Sequence, residues 1–207
     1  AVSITYGTAL HGLLDRGELK TGATVAVLGA AGGAGLAAVE IAKLYGGRVI
    51  AVASSDEKLA TAKKNGADVL VKADPETLKT DLREATDGKG VDIIYDCVGG
   101  DLAEPALRAI AWGGRFLVVG FASGDIPRLP ANLLLVKGCA MVGVFWGKAV
   151  DRDPKSHKRN MTRLFEDISK QRLAPRIHGI FPLDEIVPAL EVLEQRQAVG
   201  KVVISLS

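Results

Sequence analysis

The stretch VAVLGAAGGAGLAAVEIAKLYG, from Val25 to Gly46, is the most informative part of the sequence. It begins as a continuous apolar run, breaks into small residues between Gly29 and Gly35, and resumes with the apolar spacing of a helix. This order predicts a buried strand, a tight turn and a helix in direct succession. Because small residues let a backbone approach another group closely, the turn is also a candidate binding site.

Short apolar runs and longer amphipathic segments alternate along most of the remaining chain. The predicted strands are residues 24–28, 48–53, 69–71, 91–96, 115–120 and 139–146. The predicted helices between them are residues 33–45, residues 56–65 after Ser55 as N-cap, and a helix that Asp74 and Pro75 cap and that ends near Thr86. Nearly continuous apolar strands separated by helices indicate a parallel sheet covered on both faces. The sequence therefore predicts a doubly wound α/β fold, the Rossmann fold.

The pattern changes after residue 150. A polar-faced helix at 155–170, a strand at 176–181, a helix at 183–196 and a last strand at 201–206 are predicted there. Two strands in so short a segment lack the apolar surface for an independent core. We expect residues 1–150 to form a dinucleotide-binding domain with its leading helix, and residues 151–207 to belong with something else.

Composition excludes several classes of function. The 207 residues carry a net charge of only +2, which gives no electrostatic support for binding to nucleic acid or a membrane. No apolar stretch approaches the length of a membrane span, and the first residues lack a signal pattern. The two cysteines, Cys97 and Cys139, form neither a disulfide framework nor a metal-ligand spacing. We expect a cytoplasmic protein.

The small-residue turn has the spacing Ala30-x-Gly32-x-x-Gly35, between a predicted strand and a predicted helix. This is the context in which a dinucleotide pyrophosphate rests on free N–H groups at a helix N-terminus. The candidate contacts are Ala31, Gly32, Gly33, Ala34 and Gly35.

The end of the second predicted strand favours NADPH over NADH as the cofactor. An NAD-selective protein usually has Asp or Glu there for the ribose 2′-hydroxyl, whereas this chain has Ser54 and Ser55. Ser54 can donate to a 2′-phosphate, and Lys58, one helical turn later, can supply charge. The alternative is that Ser55 is only a helix cap and Lys58 only a solvated lysine.

With these features in place, the chain resembles the medium-chain dehydrogenase/reductase superfamily, and within it the zinc-independent quinone oxidoreductases. The stretches that carry the resemblance are ITYGTALHGLL, GAAGGAG, VIAVASSDEKLATAKKNGAD, GVDIIYDCVGG, GGRFLVVGFASG, MVGVFWG and FPLDEIVPALEVLEQRQAVGKVVI. Ala30 is similar to the alanine of the quinone and enoyl reductase branches. The zinc enzymes have a metal-binding cysteine where this chain has Ile4, which offers no zinc ligand, so we expect no metal.

The resemblance implies further cofactor contacts around the nicotinamide half. It matches Thr8 to a threonine near the carboxamide, although a helix-start hydroxyl is the alternative. The other implied contacts are Cys97, Val98, Gly120, Phe121, Ala122, Phe145 and Trp146. For Trp146, packing in the core or at an interface is equally open. The resemblance also implies a homodimer joined through the strand that contains Met141.

The same resemblance implies a fragment, because family members begin with a GroES-like substrate domain and residues 151–207 look like the return to it. The expected activity of the intact parent is hydride transfer from NADPH to a quinone or an α,β-unsaturated carbonyl, with no catalytic residue identified here. An enoyl reductase that acts on acyl thioesters is the main alternative. A non-catalytic nucleotide-binding or dimerisation module is the other.

Overall fold

A computed structural model describes residues 2–195 and 197–206. The chain starts with helix α1 (Val2–Leu10), which continues as a π-helical turn (His11–Arg16). Because the wider π turn follows directly, the two segments form one continuous helical rod that leads toward the first strand.

A six-stranded sheet forms the centre of the molecule, with the strand order β3-β2-β1-β4-β5-β6 and every pair parallel. Its strands are β1 (Thr24–Leu28), β2 (Arg48–Ala53), β3 (Val69–Lys72), β4 (Val91–Asp96), β5 (Ile110–Val118) and β6 (Ala140–Gly143). This order reverses between β1 and β4, where ligands of such sheets bind beyond the carboxyl ends of the strands. The predicted doubly wound fold is confirmed.

The helices that cover the sheet are α2 (Gly33–Leu44), α3 (Asp56–Lys64), α4 (Leu78–Glu84), α5 (Ala103–Arg108), α6 (Asn132–Lys137), α7 (Trp146–Arg152) and α8 (Pro154–Ser169). A 3-10 turn (Gly100–Leu102) precedes α5. The predicted cap of α3 is confirmed, since the Ser55 side chain accepts from the Lys58 N–H. Gly46 and Gly66, both at positive φ, follow the ends of α2 and α3 as predicted.

The core lies on both faces of the sheet because strand side chains alternate. Val25 and Val27 of β1 belong to the cluster beneath α1, α2 and α8, whereas Ala26 and Leu28 belong to the cluster beneath α4, α5 and α6. Both faces of β1 are therefore fully buried, which explains its uninterrupted apolar sequence.

Three predicted boundaries were wrong in detail. Strand β5 begins at Ile110 and not near residue 115, with a register shift against β4 and with Gly113 at positive φ. Strand β6 ends at Gly143, and Trp146 begins helix α7. The helix after Asp74 and Pro75 begins only at Leu78. The short helices α5, α6 and α7 were not predicted from the sequence.

The C-terminal part adds a separate two-stranded parallel sheet of β7 (Ile177–Pro182) and β8 (Lys201–Ser205). A 3-10 turn (Leu183–Glu185) and helix α9 (Ile186–Glu194) connect these strands. The last residue of the predicted helix 183–196 lies outside the described residues. Helix α8 instead packs on the main core, where Leu164 is buried and the Tyr45 hydroxyl donates to Asp167 over 2.7 Å. No helix among the described residues is long and apolar enough to cross a membrane.

Candidate functional site

The glycine loop connects β1 to α2 and is anchored by its own backbone. The N–H groups of Gly29 and Ala30 both donate to the Val52 carbonyl of β2, each over 3.0 Å. Gly29 has a φ of 72°, and a side chain there would lie 2.7 Å from the Val98 side chain. A methyl group at Gly35 would lie 2.1 Å from the Gly29 carbonyl oxygen, so α2 packs directly on the loop. The predicted tight turn and close helix packing are present.

The N-terminus of α2 is exposed at Gly32, whereas Gly33 is partly covered by Gly200, whose carbonyl oxygen would lie 3.0 Å from a Cβ added at Gly33. Gly32 caps the helix with an extended backbone, and its surface is exposed. A methyl group at Gly32 would meet only the Gly29 carbonyl oxygen, at 3.5 Å. The backbone amides of the first helical turn have no partner within the helix, so this opening suits an anion.

A cation from the far end of the chain lies at the same opening. Gly32 forms a parallel bridge with Gly200, which directly precedes β8. A methyl group at Gly33 would lie 3.7 Å from Nζ of Lys201. Burial lowers the pKa of Lys201. Lys201 was not predicted as a site residue, because no local motif connects a lysine near the C-terminus with a loop near residue 32.

The end of β2 brings together the two residues predicted for a 2′-phosphate. Ser54 is exposed, and its Oγ lies 3.5 Å from Nζ of Lys58. Ser55 acts as the helix cap, so its hydroxyl is occupied by the backbone. A hydroxyl and an ammonium group are therefore adjacent at the carboxyl edge of the sheet.

The loop after β4 is shaped by Asp96, which the sequence analysis also missed. Its buried carboxylate accepts from the N–H groups of Val98 and Gly99, over 2.8 and 2.9 Å. Burial raises the pKa of Asp96, although these two hydrogen bonds oppose the shift. An aspartate that ends an apolar strand could have indicated such a turn.

Cys97 lies in the same loop, and its Sγ donates to the Leu28 carbonyl over 3.1 Å. Burial, with a further contribution from Asp96, raises the pKa of Cys97 to about 12. The thiol is therefore protonated at neutral pH and unsuited to act as a nucleophile.

The loop after β5 is tied to the loop after β4. The Asp96 carbonyl accepts from Gly120 N–H at 3.3 Å, and the Cys97 carbonyl accepts from Ala122 N–H at 3.2 Å. Phe121, between these two residues, is exposed. The predicted contacts of both loops thus share one edge of the sheet.

The segment after β6 carries two aromatic residues with different surroundings. Phe145 is 76% exposed. Trp146 packs against Gly7 of α1, where a methyl group would lie 2.9 Å from the indole, and its ring centroid lies 5.5 Å from that of His157 in an edge-on arrangement. It also lines a cavity of about 370 Å³ beside His11 and Asn160.

Thr8 lies on α1, and its hydroxyl donates to the Ile4 carbonyl over 2.6 Å. Thr8 lies within α1 and not at its start, and this hydrogen bond leaves the oxygen able to accept one from a ligand. Among residues 2–195 and 197–206, no group of three or more His, Cys, Asp or Glu is arranged to hold a metal ion.

Comparison with known proteins gives one matching family and several similar chains. The family model described as zinc-binding dehydrogenase matches residues 33–166. The chain is 41% identical over 207 residues to the quinone oxidoreductase-like protein 2 homolog of Nematostella vectensis, with 99% of this chain and 56% of that protein covered. It thus spans a little over half the length of the curated relatives it matches.

Solved structures agree with this likeness. A mycobacterial protein complexed with NADPH is 30% identical with a TM-score of 0.90, and the match covers 97% of this chain and 62% of that one. The CurK enoyl reductase is 25% identical with a TM-score of 0.86, and the match covers 98% of this chain and 60% of that one.

Proposed function

Because this chain belongs to the zinc-binding dehydrogenase family, within the medium-chain dehydrogenase/reductase superfamily, we propose that it is the cofactor-binding part of an NADPH-dependent oxidoreductase. Its substrate is a quinone or an α,β-unsaturated carbonyl. The observation that carries the proposal is the adjacency of Ser54 and Lys58 at the end of β2, on the same edge of the sheet as the glycine loop.

The pyrophosphate rests on the first turn of α2. The backbone amides of the first turn of α2 have no partner within the helix, and the helix dipole favours the charge of the pyrophosphate. Lys201 brings an ammonium group close to Gly33, and a bound pyrophosphate would favour the charged form of this lysine. Both phosphates of this group occur in NADH as well as NADPH, so this part of the site contributes affinity without selecting between the two.

The adenosine 2′-phosphate is held by Ser54 and Lys58. The hydroxyl donates a hydrogen bond and the ammonium group forms a charge-assisted one. NADH has only a neutral hydroxyl at this position, so the pair selects NADPH. The distance of 3.5 Å between Oγ and Nζ places both groups within reach of one phosphate.

The nicotinamide half lies along the loops after β4, β5 and β6. When bound, NADPH supplies the hydride, and the protein's part is to orient the ring and exclude water. The backbone around Cys97, Val98 and Gly120 to Ala122 forms one wall, because hydrogen bonds join the two loops. In the proposed site Phe145 and Thr8 also contact the nicotinamide, and Trp146, which packs on Gly7, holds α7 against α1.

We propose a zinc-independent activity, because the resemblance places Ile4 where the zinc enzymes have a metal-binding cysteine. Reduction of acyl thioesters is the second candidate, and the likeness to an enoyl reductase favours it. The two activities can be distinguished with a protein of the relatives' full length that contains this sequence. NADPH oxidation by that protein is measured with 9,10-phenanthrenequinone and, separately, with a crotonyl thioester. Oxidation of NADPH by neither would reject both activities.

Titration calorimetry of this chain tests cofactor binding directly. We expect NADPH to bind at least about tenfold more tightly than NADH, because the 2′-phosphate contacts contribute roughly 1.4 kcal/mol to the binding free energy. Equal affinity for both cofactors contradicts the NADPH assignment, and no binding by the folded chain contradicts the whole proposal.

A further inference from the structure

A second lysine lies at the end of the neighbouring strand. In the parallel pairing of β2 with β3, Ala53 lies opposite Lys72. Lys72 therefore ends β3 directly beside the point where β2 gives way to Ser54. Its Nζ contacts the Asp56 carboxylate, with 2.9 Å between Nζ and Oδ1.

Asp56 brings a negative charge to the proposed 2′-phosphate site. Asp56 begins α3, two residues after Ser54 and two before Lys58, so its carboxylate lies among the residues proposed to hold the 2′-phosphate. A carboxylate favours the N-terminus of its helix but repels a phosphate of charge about −1.5 to −2. In the free protein the ammonium group of Lys72 is paired with this carboxylate.

The contact between Lys72 and Asp56 is not fixed by burial. The Asp56 side chain is 88% exposed and that of Lys72 is 51% exposed. Exposed ion pairs of this kind are weak and are screened by salt. A phosphate carries more charge than one carboxylate, so Lys72 can turn toward it at little cost.

We propose that Lys72, which ends β3 beside Ser54, is a specificity-determining residue for NADPH: it leaves its ion pair with Asp56 and supplies a second positive charge to the 2′-phosphate together with Lys58. This inference rests on the proposed cofactor. The pattern of residues along α3 does not reveal it, because Lys72 reaches the site through the pairing of strands.

The test compares Lys72→Ala with Lys64→Ala. Lys64 ends α3, so its substitution removes the same charge at the end of the helix far from Asp56. Dissociation constants for NADPH and NADH are measured by calorimetry on each folded variant, with circular dichroism as the check on folding. We expect Lys72→Ala to weaken NADPH binding about tenfold and to leave NADH within about twofold. Lys64→Ala leaves both unchanged, and Lys72→Arg retains most of the NADPH affinity.

Asp56→Asn provides an independent arm. It removes the repulsive charge and frees Lys72, so NADPH binding becomes tighter while NADH binding does not change. An unchanged NADPH affinity in Lys72→Ala, or an equal loss for both cofactors, overturns the role of Lys72. If Lys58→Ala still lowers NADPH affinity in that case, the proposed function stands. A wild-type chain without any preference for NADPH overturns both.

Discussion

A single methyl group at Gly35 is enough to test the geometry of the glycine loop. The added Cβ would lie 2.1 Å from the Gly29 carbonyl oxygen and 2.8 Å from the Ala30 Cα, and both are backbone atoms that have little room to move. We expect Gly35→Ala to lower the free energy of unfolding by about 2 to 3 kcal/mol, the usual cost of overpacking. Urea denaturation followed by circular dichroism measures the change.

Gly147→Ala is the matched control for that substitution. Gly147 lies inside α7, and its added Cβ would meet only the Phe145 ring at 3.8 Å, an ordinary contact. Alanine is the better helix former, so we expect a gain of about 0.5 to 1 kcal/mol. Equal stability of the Gly35 variant and the wild type would show that the helix does not pack on the loop as described.

Two lysines of the cofactor site are expected to differ in what they select. Lys58→Glu places a negative charge beside Ser54, so the dissociation constant should rise far more for NADPH than for NADH. Lys201→Met removes a charge from the pyrophosphate, which both cofactors share, and should weaken both by a similar factor of about five to ten. Parallel titrations with the two cofactors distinguish these patterns, and a Lys201 variant that affects only NADPH contradicts the assignment.

The difference between these lysines also shows what a sequence can reveal at this scale. Ser54 and Lys58 are one helical turn apart, so a local pattern was sufficient to pair them. Lys201 comes next to Gly33 only because the chain after α9 returns to the glycine loop through Gly200. Asp96 was missed for another reason, since its role depends on burial and on two backbone hydrogen bonds that composition does not show.

At the scale of helices, the packing of α1 on α2 depends on a buried polar pair. The Tyr6 hydroxyl donates to Glu40 over 3.0 Å, and both side chains are buried. Burial raises the pKa of Glu40 to about 7, an effect only partly opposed by hydrogen bonds from Tyr6 and the Ala174 backbone. The carboxyl group therefore changes charge near neutral pH while enclosed in the core.

A raised pKa in the folded state means that the protonated carboxyl stabilises the fold. This contribution is complete below the unfolded pKa near 4.5 and is lost as pH rises through about 7. We expect wild-type unfolding free energy to fall between pH 5 and pH 8 by about 1 to 2 kcal/mol more than that of Glu40→Gln, whose side chain is neutral throughout. Urea denaturation at both pH values measures the difference, and identical pH dependence would mean that Glu40 is solvated.

Elements were predictable where burial imposes a regular pattern. Strands β1, β2 and β4 are covered on both faces, so their apolar runs have clear limits. The start of β5 was hidden because Trp112 and Gly113 look like a turn, yet the strand continues through them with Gly113 at positive φ. Helices α5, α6 and α7 are six or seven residues long, which is too short for a helical period to be recognised.

At the scale of the whole molecule, apolar surface is concentrated outside the six-stranded sheet. In the two-stranded C-terminal sheet and α9, large apolar side chains including Ile180, Val187 and Leu190 are exposed. Exposed apolar patches of this kind mark surfaces that pack against other structure. That residues 151–207 belong with a further substrate-binding domain stays a prediction. Helix α8, which lies within this segment, also contributes to the main core.

The two edges of the six-stranded sheet offer a matched test of dimer formation. Strand β6 forms one edge and strand β3 the other, and an uncovered edge strand can pair with a second copy. Met141 on β6 is 39% exposed and Leu70 on β3 is 38% exposed, while exposed Leu135 and Val136 lie on α6, the helix just before β6. We therefore expect the homodimer to form through β6.

Sedimentation equilibrium should show a dimer for the wild type and for Leu70→Asp but a monomer for Met141→Asp, because a buried, unpaired carboxylate opposes association. Loss of the dimer in Leu70→Asp alone would instead place the interface at β3, and a monomeric wild type would contradict the homodimer.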